Sequence, residues 1–458
     1  MEVKPGYKLT EVGLIPEDWE VKPLGDLASV SSGGTPSRTN AQYWNGDIPW
    51  VTTSEVDFCT INHAEQSITK DGLNNSAAKL VQPGTLLMAL YGQGKTRGKV
   101  GVLGIEAAIN QACAAISLDR KVSPDFIFYF LASRYEAIRN LSNTGNQENL
   151  NGQIVKSIPI LLPPTKAEQE AIARALSEAD ALLEVLAQVL AKKRHLKQAA
   201  MQQLLTGKER LPGFTREWGV KTFGDLFHFS GGYSASRDQL SNEGHCYLHY
   251  GDIHGATKTS VDVRADYQDI PKLNITLKRV PSKSMLQDGD VVFVDASEDD
   301  EGTSRHVVVV NKDNIPFISG LHTIVAKSKT DELAHEYRQY CFQTSAIRQQ
   351  FLFYAVGTKV SGISKTNITK LTLPVPSVPE QTAIASILSD MDAEIGALEA
   401  KLAKARHLKL RDQLLFGFLE LRGLAVVDAA RIFFVQQATE LKDGGGGGNG
   451  RRGSVRER

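Results

Sequence analysis

The chain has 458 residues, 41% hydrophobic and 23% charged, with 52 basic side chains against 52 acidic ones. That composition excludes disorder and leaves room for several domains. No apolar run reaches the roughly 18 residues of a membrane span, and "MEVKPGYKLTEVG" lacks the apolar core of a signal peptide. Cys59, Cys113, Cys246 and Cys341 are scattered without C-x-x-C spacing, so neither a disulfide framework nor a zinc site is expected, and the cytoplasm is the expected compartment. A simple nucleic-acid-binding domain is usually basic. Here a basic face would have to be offset by acidic helices elsewhere.

In chain order, "GTLLMALY" reads as a strand and runs into "GQGKTRGKVGVLG", whose Gly94-Lys95-Thr96 matches the end of a phosphate-binding loop. The full pattern needs a first glycine at position 89, which is Ala89, and a helix afterwards. The β-branched Val100 and Val102 predict a turn into a strand instead. A nucleotide hydrolase centred on Lys95 is the weaker reading of this loop, and a solvated or nucleic-acid-contacting turn the stronger. Further on, "PDFIFYFLASRYEAIRNL" predicts an amphipathic helix, and the block closes on the polar loop "NTGNQENLNGQ".

A long helix follows. Ile172, Leu176, Ala179, Leu183, Leu186 and Leu190 recur at alternating spacings of four and three, an a/d seam that buries one narrow stripe against another helix. Prolines open it at Pro163-Pro164, "KKRHLK" makes its end basic, and Gly207 stops it. After it the chain repeats itself. Residues 19–38 (WEVKPLGDLASVSSGGTPSR) recur as 218–237 (WGVKTFGDLFHFSGGYSASR), matching at Trp19, Val21, Lys22, Gly25, Asp26, Leu27, Ser31, Gly33, Ser37 and Arg38 with an offset of 199. A second helix carries Ile384, Leu388, Met391, Ile395, Leu398, Leu402 and Ala405 in the same rhythm, offset by 212 from the first. Two copies of equal length and phase are expected to pair as an antiparallel coiled coil. The blocks between the matched borders differ. Borders that match serve a scaffold, and interiors that differ are where something is read.

No catalytic constellation stands. H-E-x-x-H and G-x-S-x-G are absent, Pro163-Pro164 follows Leu162 and so is not an amino-methyltransferase motif, and the acidic run 295–302 reads as a solvated loop. His306 and His322 sit beside expected strands and read as structural. What recurs is the residue set that meets bases and phosphates: Arg and Lys for guanine and phosphate, Asn and Gln for adenine, Gly for close backbone approach. In the first block these are Ser37, Arg38, Tyr91, Gln93, Lys95, Thr96, Arg97, Lys99, Asn146, Gln147 and Asn149. In the second they are Ser236, Arg237, Tyr250, Ser304, Arg305, Lys359, Ser361 and Lys365.

These borders resemble the specificity subunits of type I restriction-modification systems. The resemblance runs over residues ~10–417 and is carried by "GLIPEDWEVKPLGDL", by "GTLLMALYGQGKTRGKVGVLG" with "INQACAAI", and by "NLNGQIVKSIPILLPPTKAEQEAIARAL" and "GISKTNITKLTLPVPSVPEQTAIASIL". It implies an α/β (α+β) fold. Target recognition domains would occupy 1–163 and 208–375, conserved spacer helices 164–207 and 376–417, and an atypical C-terminal tail 418–458. It further implies two domains related by a pseudo-twofold axis, each reading half of a bipartite, asymmetric double-stranded DNA site. The chain would be non-catalytic and without a cofactor. S-adenosylmethionine, ATP and Mg would belong to two modification (methyltransferase) subunits and to restriction (helicase/nuclease) subunits, with no membrane partner. A protein-only coiled-coil adaptor is the remaining alternative. The second helix departs from the first after Gly417 and gives way to "GGGGGNGRRGSVRER", which puts the family's terminal segment in doubt.

Overall fold

The computed structural model describes residues 5–10, 13–92, 94–141, 149–256, 258–297, 304–356 and 361–415. The chain divides into two compact units, one of residues 1–188 with 400–458, the other of residues 189–399. The division cuts each long helix in two, so each unit holds one recognition block and a part of both helices. The expected seam residues are thus distributed between the units.

In the first unit, the described residues form a five-stranded sheet in the order Ala28–Ser32, Cys113–Leu118, Leu86–Ala89, Val100–Leu103, Thr60–Ile61, and a four-stranded sheet in the order Gln66–Ile68, Trp44–Val51, Ala107–Ile109, Leu80–Val81. The strand Leu86–Ala89 shows why a continuous apolar run is needed here. Successive side chains point to opposite faces. Leu86 and Met88 enter one buried cluster with the helix Pro124–Ser133, while Leu87 and Ala89 enter another that lies towards Val51 and Ile109 of the four-stranded sheet. A sheet buried on both faces cannot alternate with polar residues.

The second unit repeats this plan with different side chains. Its five-stranded sheet runs Phe227–Gly231, Thr323–Ser328, Val291–Val294, His306–Val310, Ser260–Asp262, and Val291/Phe293 and Val292/Val294 again serve two clusters. In the other sheet His245–Leu248 pairs in parallel with Phe317–Ser319, as Trp44–Val51 does with Ala107–Ile109. The five-stranded sheets share one strand order, whereas the four-stranded sheets share three strands and differ in the fourth: Leu80–Val81 lies beside Ala107–Ile109 in the first block, and Leu240–Ser241 beside Lys272–Leu273 in the second.

Each block is closed by a two-stranded antiparallel ribbon joining its first and last segments: Glu20–Pro23 with Pro159–Leu162, and Gly219–Thr222 with Thr372–Val375. The ribbon feeds directly into a long helix, Lys166–Leu204 in the first case and Val378–Leu415 in the second. The matched tryptophans seat these helices. Trp19 Nε1 donates to Glu168 at 3.2 Å, and Trp218 Nε1 to Glu380 at 3.1 Å. Glu380 is buried and also receives Arg210, at 2.6 and 2.8 Å. Among the described residues Glu168 has no such cation, and burial raises its carboxyl above the usual range against the donor from Trp19.

The seam departs from expectation at one point. Leu182, at 4% exposure, takes the buried position assigned to Leu183, which is only half-buried. The cause lies in the first turns of the helix, where Ala173 and Leu176 belong to the recognition block's own core and Ile172 packs on it. This rotates the buried stripe to Ala173, Leu176, Ala179 and Leu182 before it continues through Leu186 and Leu190. In the second helix Ile384 and Leu388 likewise join their block's core, with Met391 packed against it, and Ile395, Leu398, Leu402 and Ala405 continue the stripe. Each helix therefore serves its own block first and a helical partner afterwards.

The helix segments within a unit run antiparallel. In the second unit Lys193 meets Glu394 at 2.6 Å, Arg194 meets Glu399 at 2.6 Å and Lys197 meets Asp392 at 2.5 Å. Asp392 also accepts the Tyr340 hydroxyl at 3.0 Å. The first unit repeats this triad: Lys409 pairs with Asp180, which accepts the Tyr129 hydroxyl at 3.1 Å. Lys409 and Asp392 are the offset-212 counterparts of Lys197 and Asp180. Burial pushes both phenols up, reinforced by the neighbouring carboxylates.

Candidate nucleic-acid interface

The Gly94-Lys95-Thr96 segment is a turn between the antiparallel strands Leu86–Ala89 and Val100–Leu103. Gly94 and Gly98 have φ of +84° and +85°, a region that glycine adopts freely. The Gly98 N–H donates to the Ala89 carbonyl at 2.8 Å and the Lys99 N–H to the Thr96 carbonyl at 3.1 Å. Both bonds close a hairpin. A phosphate-binding loop needs a helix directly after its lysine; here the strand Val100–Leu103 follows instead, so the nucleotide-hydrolase reading of Lys95 is corrected.

The turn is braced from one side. The Tyr135 hydroxyl donates to the Lys95 carbonyl, Arg139 Nη1 donates to that hydroxyl at 3.1 Å, and Phe58 packs edge-on to the Tyr135 ring at 5.3 Å. The Lys95 side chain itself is exposed and Thr96 is half-buried. Two expectations change in this turn. Arg97 is only 6% exposed, so it is enclosed by the block and not offered to a surface ligand. Lys99 is tied to Asp57 at 2.6 Å and lies 5.9 Å from the Phe58 ring centre. Tyr91 is exposed, and the Leu150 N–H donates to the Leu90 carbonyl at 3.0 Å, which brings half-buried Asn149 beside it. Gln93, Asn146 and Gln147 lie outside the described residues.

Ser37 and Arg38 lie on the loop after strand Ala28–Ser32. That loop runs close to the neighbouring strand: a Cβ on Gly33 would fall 1.9 Å from the Ile109 carbonyl oxygen. Trp44 Nε1 donates to the Ser37 carbonyl at 3.0 Å and Trp50 Nε1 to the Gly34 carbonyl at 2.9 Å. The Arg38 guanidinium stacks 3.8 Å from the Trp44 ring centre and 5.1 Å from that of Trp50, and its Nη1 donates to Gln66 Oε1 at 2.8 Å. The sequence reading missed Trp44, Trp50, Gln66 and Tyr135, since each depends on which strands become neighbours.

The second block uses the same loop differently. A Cβ on Gly232 would fall 1.8 Å from the Gly320 carbonyl oxygen, repeating the close approach at Gly33. Ser236 N–H donates to Gln239 Oε1 at 2.9 Å, and Arg237 Nη2 lies 3.3 Å from Asp252 Oδ1. Tyr250 packs against His249, His254 and His322 with ring centres 4.5, 6.3 and 5.5 Å away. Burial of His249 lowers its pKa, while Asp252 opposes the shift. His322 Nδ1 lies 3.3 Å from Asp295 Oδ1, and Arg305 donates to the His254 carbonyl. Lys365 is exposed at the start of a turn capped by Ser364, with Nζ near Gly231. The fold thus brings Arg237, Tyr250 and Arg305 together through Asp252 and His254, with half-buried Ser304 beside Arg305 and Lys365 against Gly231 on the strand that leads to Arg237. Lys359 and the Ser361 side chain lie outside the described residues. So does most of the acidic run 295–302; among the described residues no cluster of three or more potential ligands could hold a metal.

The family model for the type I restriction modification DNA specificity domain matches residues 16–192 and again residues 215–405. The chain belongs to that family. The MjaIX specificity subunit of Methanocaldococcus jannaschii, a type I restriction enzyme component, is 29% identical over 186 residues, which are 39% of this chain and 41% of that protein. The MjaVIII specificity subunit of the same organism is 22% identical over 448 residues, 90% of this chain and 95% of its own. The crystal structure of a type I restriction-modification S subunit from M. genitalium matches with a TM-score of 0.54 at 16% identity, covering 92% of this chain and 99% of that one. This likeness shows the fold. The two family matches coincide with the two recognition blocks and their helices.

Proposed function

We propose that this chain is the DNA-recognition and scaffold subunit of a type I restriction-modification complex. Each block reads one half of a bipartite, asymmetric site, and the chain has no catalytic role of its own. The observation that carries this is the repetition of one two-sheet plan with unlike surface side chains, Arg38 on tryptophans in one block and Arg237 on a carboxylate in the other. Two methyltransferase subunits that use S-adenosylmethionine would assemble on it, joined by restriction subunits that use ATP and Mg. The helix segments would pair along their length as an antiparallel coiled coil and hold the half-sites at a set spacing. Among the described residues no helix is long and apolar enough to cross a membrane, which accords with a cytoplasmic complex acting on DNA.

The test is to express the chain with its methyltransferase partner and map methylated adenines across a genome. A split motif with two defined halves and a fixed gap supports the reading. Methylation without a motif, or binding whose affinity does not fall as salt rises, would contradict it.

A further inference from the structure

The Arg38 cluster carries more than a general affinity for DNA. Its guanidinium is held on three sides: one tryptophan ring 3.8 Å from Cζ, a second at 5.1 Å, and Gln66 at 2.8 Å on Nη1. The tryptophans are anchored in turn by the Ser37 and Gly34 carbonyls, and Gln66 lies opposite Trp50 in the sheet. The other members of the cluster are neutral. Such immobilisation does little for a phosphate contact, since phosphate accepts from many directions and rewards charge and reach. It favours a partner with two acceptors in one plane, because a guanidinium fork that is already oriented loses less freedom on pairing.

Resting on the proposed DNA-recognition role, we infer that Arg38 reads a guanine in the half-site of the first block, donating to O6 and N7 in the major groove. The guanidinium carries only donors. Adenine offers N7 beside an amino donor, cytosine offers an amino donor, and thymine a single acceptor beside a methyl group; guanine alone presents two adjacent acceptors. Arg237, the offset-199 counterpart, is balanced by Asp252 without a tryptophan platform, so the inference is confined to the first block.

The experiment uses the full chain in complex with its methyltransferase. The wild-type motif is mapped first, then that of Arg38→Ala, and the wild-type complex is assayed on DNA with 7-deazaguanine, which lacks the N7 acceptor. The motif should contain a G·C pair in one half that the wild type prefers by about 5- to 150-fold, the range for a bidentate base contact. Arg38→Ala should accept any pair there while keeping the other half unchanged. 7-Deazaguanine at that position should slow the wild type at least several-fold and leave Arg38→Ala no slower than on guanine. A half-site without a G·C pair overturns the inference. So does a variant that is uniformly weaker on all sequences with a shallower salt dependence, the signature of a phosphate contact, or a wild type indifferent to the loss of N7. A wild-type complex with no motif at all would instead defeat the recognition role on which the inference rests.

Discussion

Lowering the pH should destabilise the second unit through His306. This residue opens the strand His306–Val310, is 5% exposed, and packs against Phe293 and Phe342 with ring centres 5.6 and 5.2 Å away. Its Nε2 meets no partner among the described residues. Burial pushes its pKa down to about 4, from the ordinary histidine value near 6.5. Between those values the unfolded chain binds a proton that the folded chain refuses. The stability His306 confers is therefore intact above about pH 6.5 and is lost as pH falls through the window towards 4. From pH 7 to pH 4.5 the loss is on the order of 2 kcal/mol, or about 4–8 °C in Tm for a unit of this size. Calorimetry of the chain against its His306→Leu variant isolates the effect, because the carboxylates and His249 titrate in both. The variant should lose several degrees fewer over that range, whatever its Tm at pH 7. Parallel Tm-versus-pH curves would refute the reasoning.

Three further outcomes follow from the same geometry. Lys95→Ala should weaken DNA binding by about 1 kcal/mol and reduce the salt slope by about one phosphate contact, without altering the motif; an unchanged slope would remove Lys95 from the DNA face. Tyr129→Phe and Tyr340→Phe each delete a hydrogen bond to a half-exposed carboxylate and should each cost about 1 kcal/mol of unfolding free energy, below the range for buried charged acceptors. Lying in separate units, the two should add, and denaturant melts of the double variant check this. A fragment of residues 1–210 contains both Asp180 and Lys197, the two sides of the repeated bridge, so two copies can pair antiparallel with each lysine meeting the other copy's aspartate. Sedimentation should show a dimer, and its complex should methylate a palindrome built from the first half-site, whereas a soluble monomer would mean that the second helix supplies something the first cannot.

The parts legible in the sequence were those set by local periodicity or by repetition. The heptad rhythm located both long helices, and the offset-199 match located the loops of Arg38 and Arg237. Reading the turn at Gly94 as a strand connection needed only Ala89 and the β-branched Val100 and Val102. The misplaced seam residue arose because a heptad pattern assumes one partner, whereas the helix from Lys166 packs first on a globular core that claims Ala173 and Leu176. The burial of Arg97 was hidden for a different reason. Three cations, Lys95, Arg97 and Lys99, in one Gly-rich turn look alike in sequence, and only strand pairing decides which side chain is turned inward and which meets Asp57. Gln66, Tyr135 and the histidines around Tyr250 are joined to their partners by sheet order, which no local pattern reports.

The places where the sequence repeats and the places where only the fold repeats divide the labour of the molecule. Trp19 with Glu168 and Trp218 with Glu380 seat each long helix on its block, and the Tyr–Asp–Lys triads tie it to the opposing helix segment. These contacts involve matched residues because they must produce the same geometry twice. The sheets need only apolar residues on both faces, so Leu86 to Ala89 and Val291 to Val294 build the same strand from different side chains. The loop beyond Gly33 and Gly232 is fixed at its base by a close approach that excludes a side chain, while the arginine it carries meets Trp44 and Trp50 in one block and Asp252 in the other. Arg38 and Arg237 are exposed, so replacing either arginine leaves the way its block is held unchanged, whereas a substitution at Trp19, Asp180 or Lys409 alters how a block is seated on its helix or how that helix meets the opposing segment.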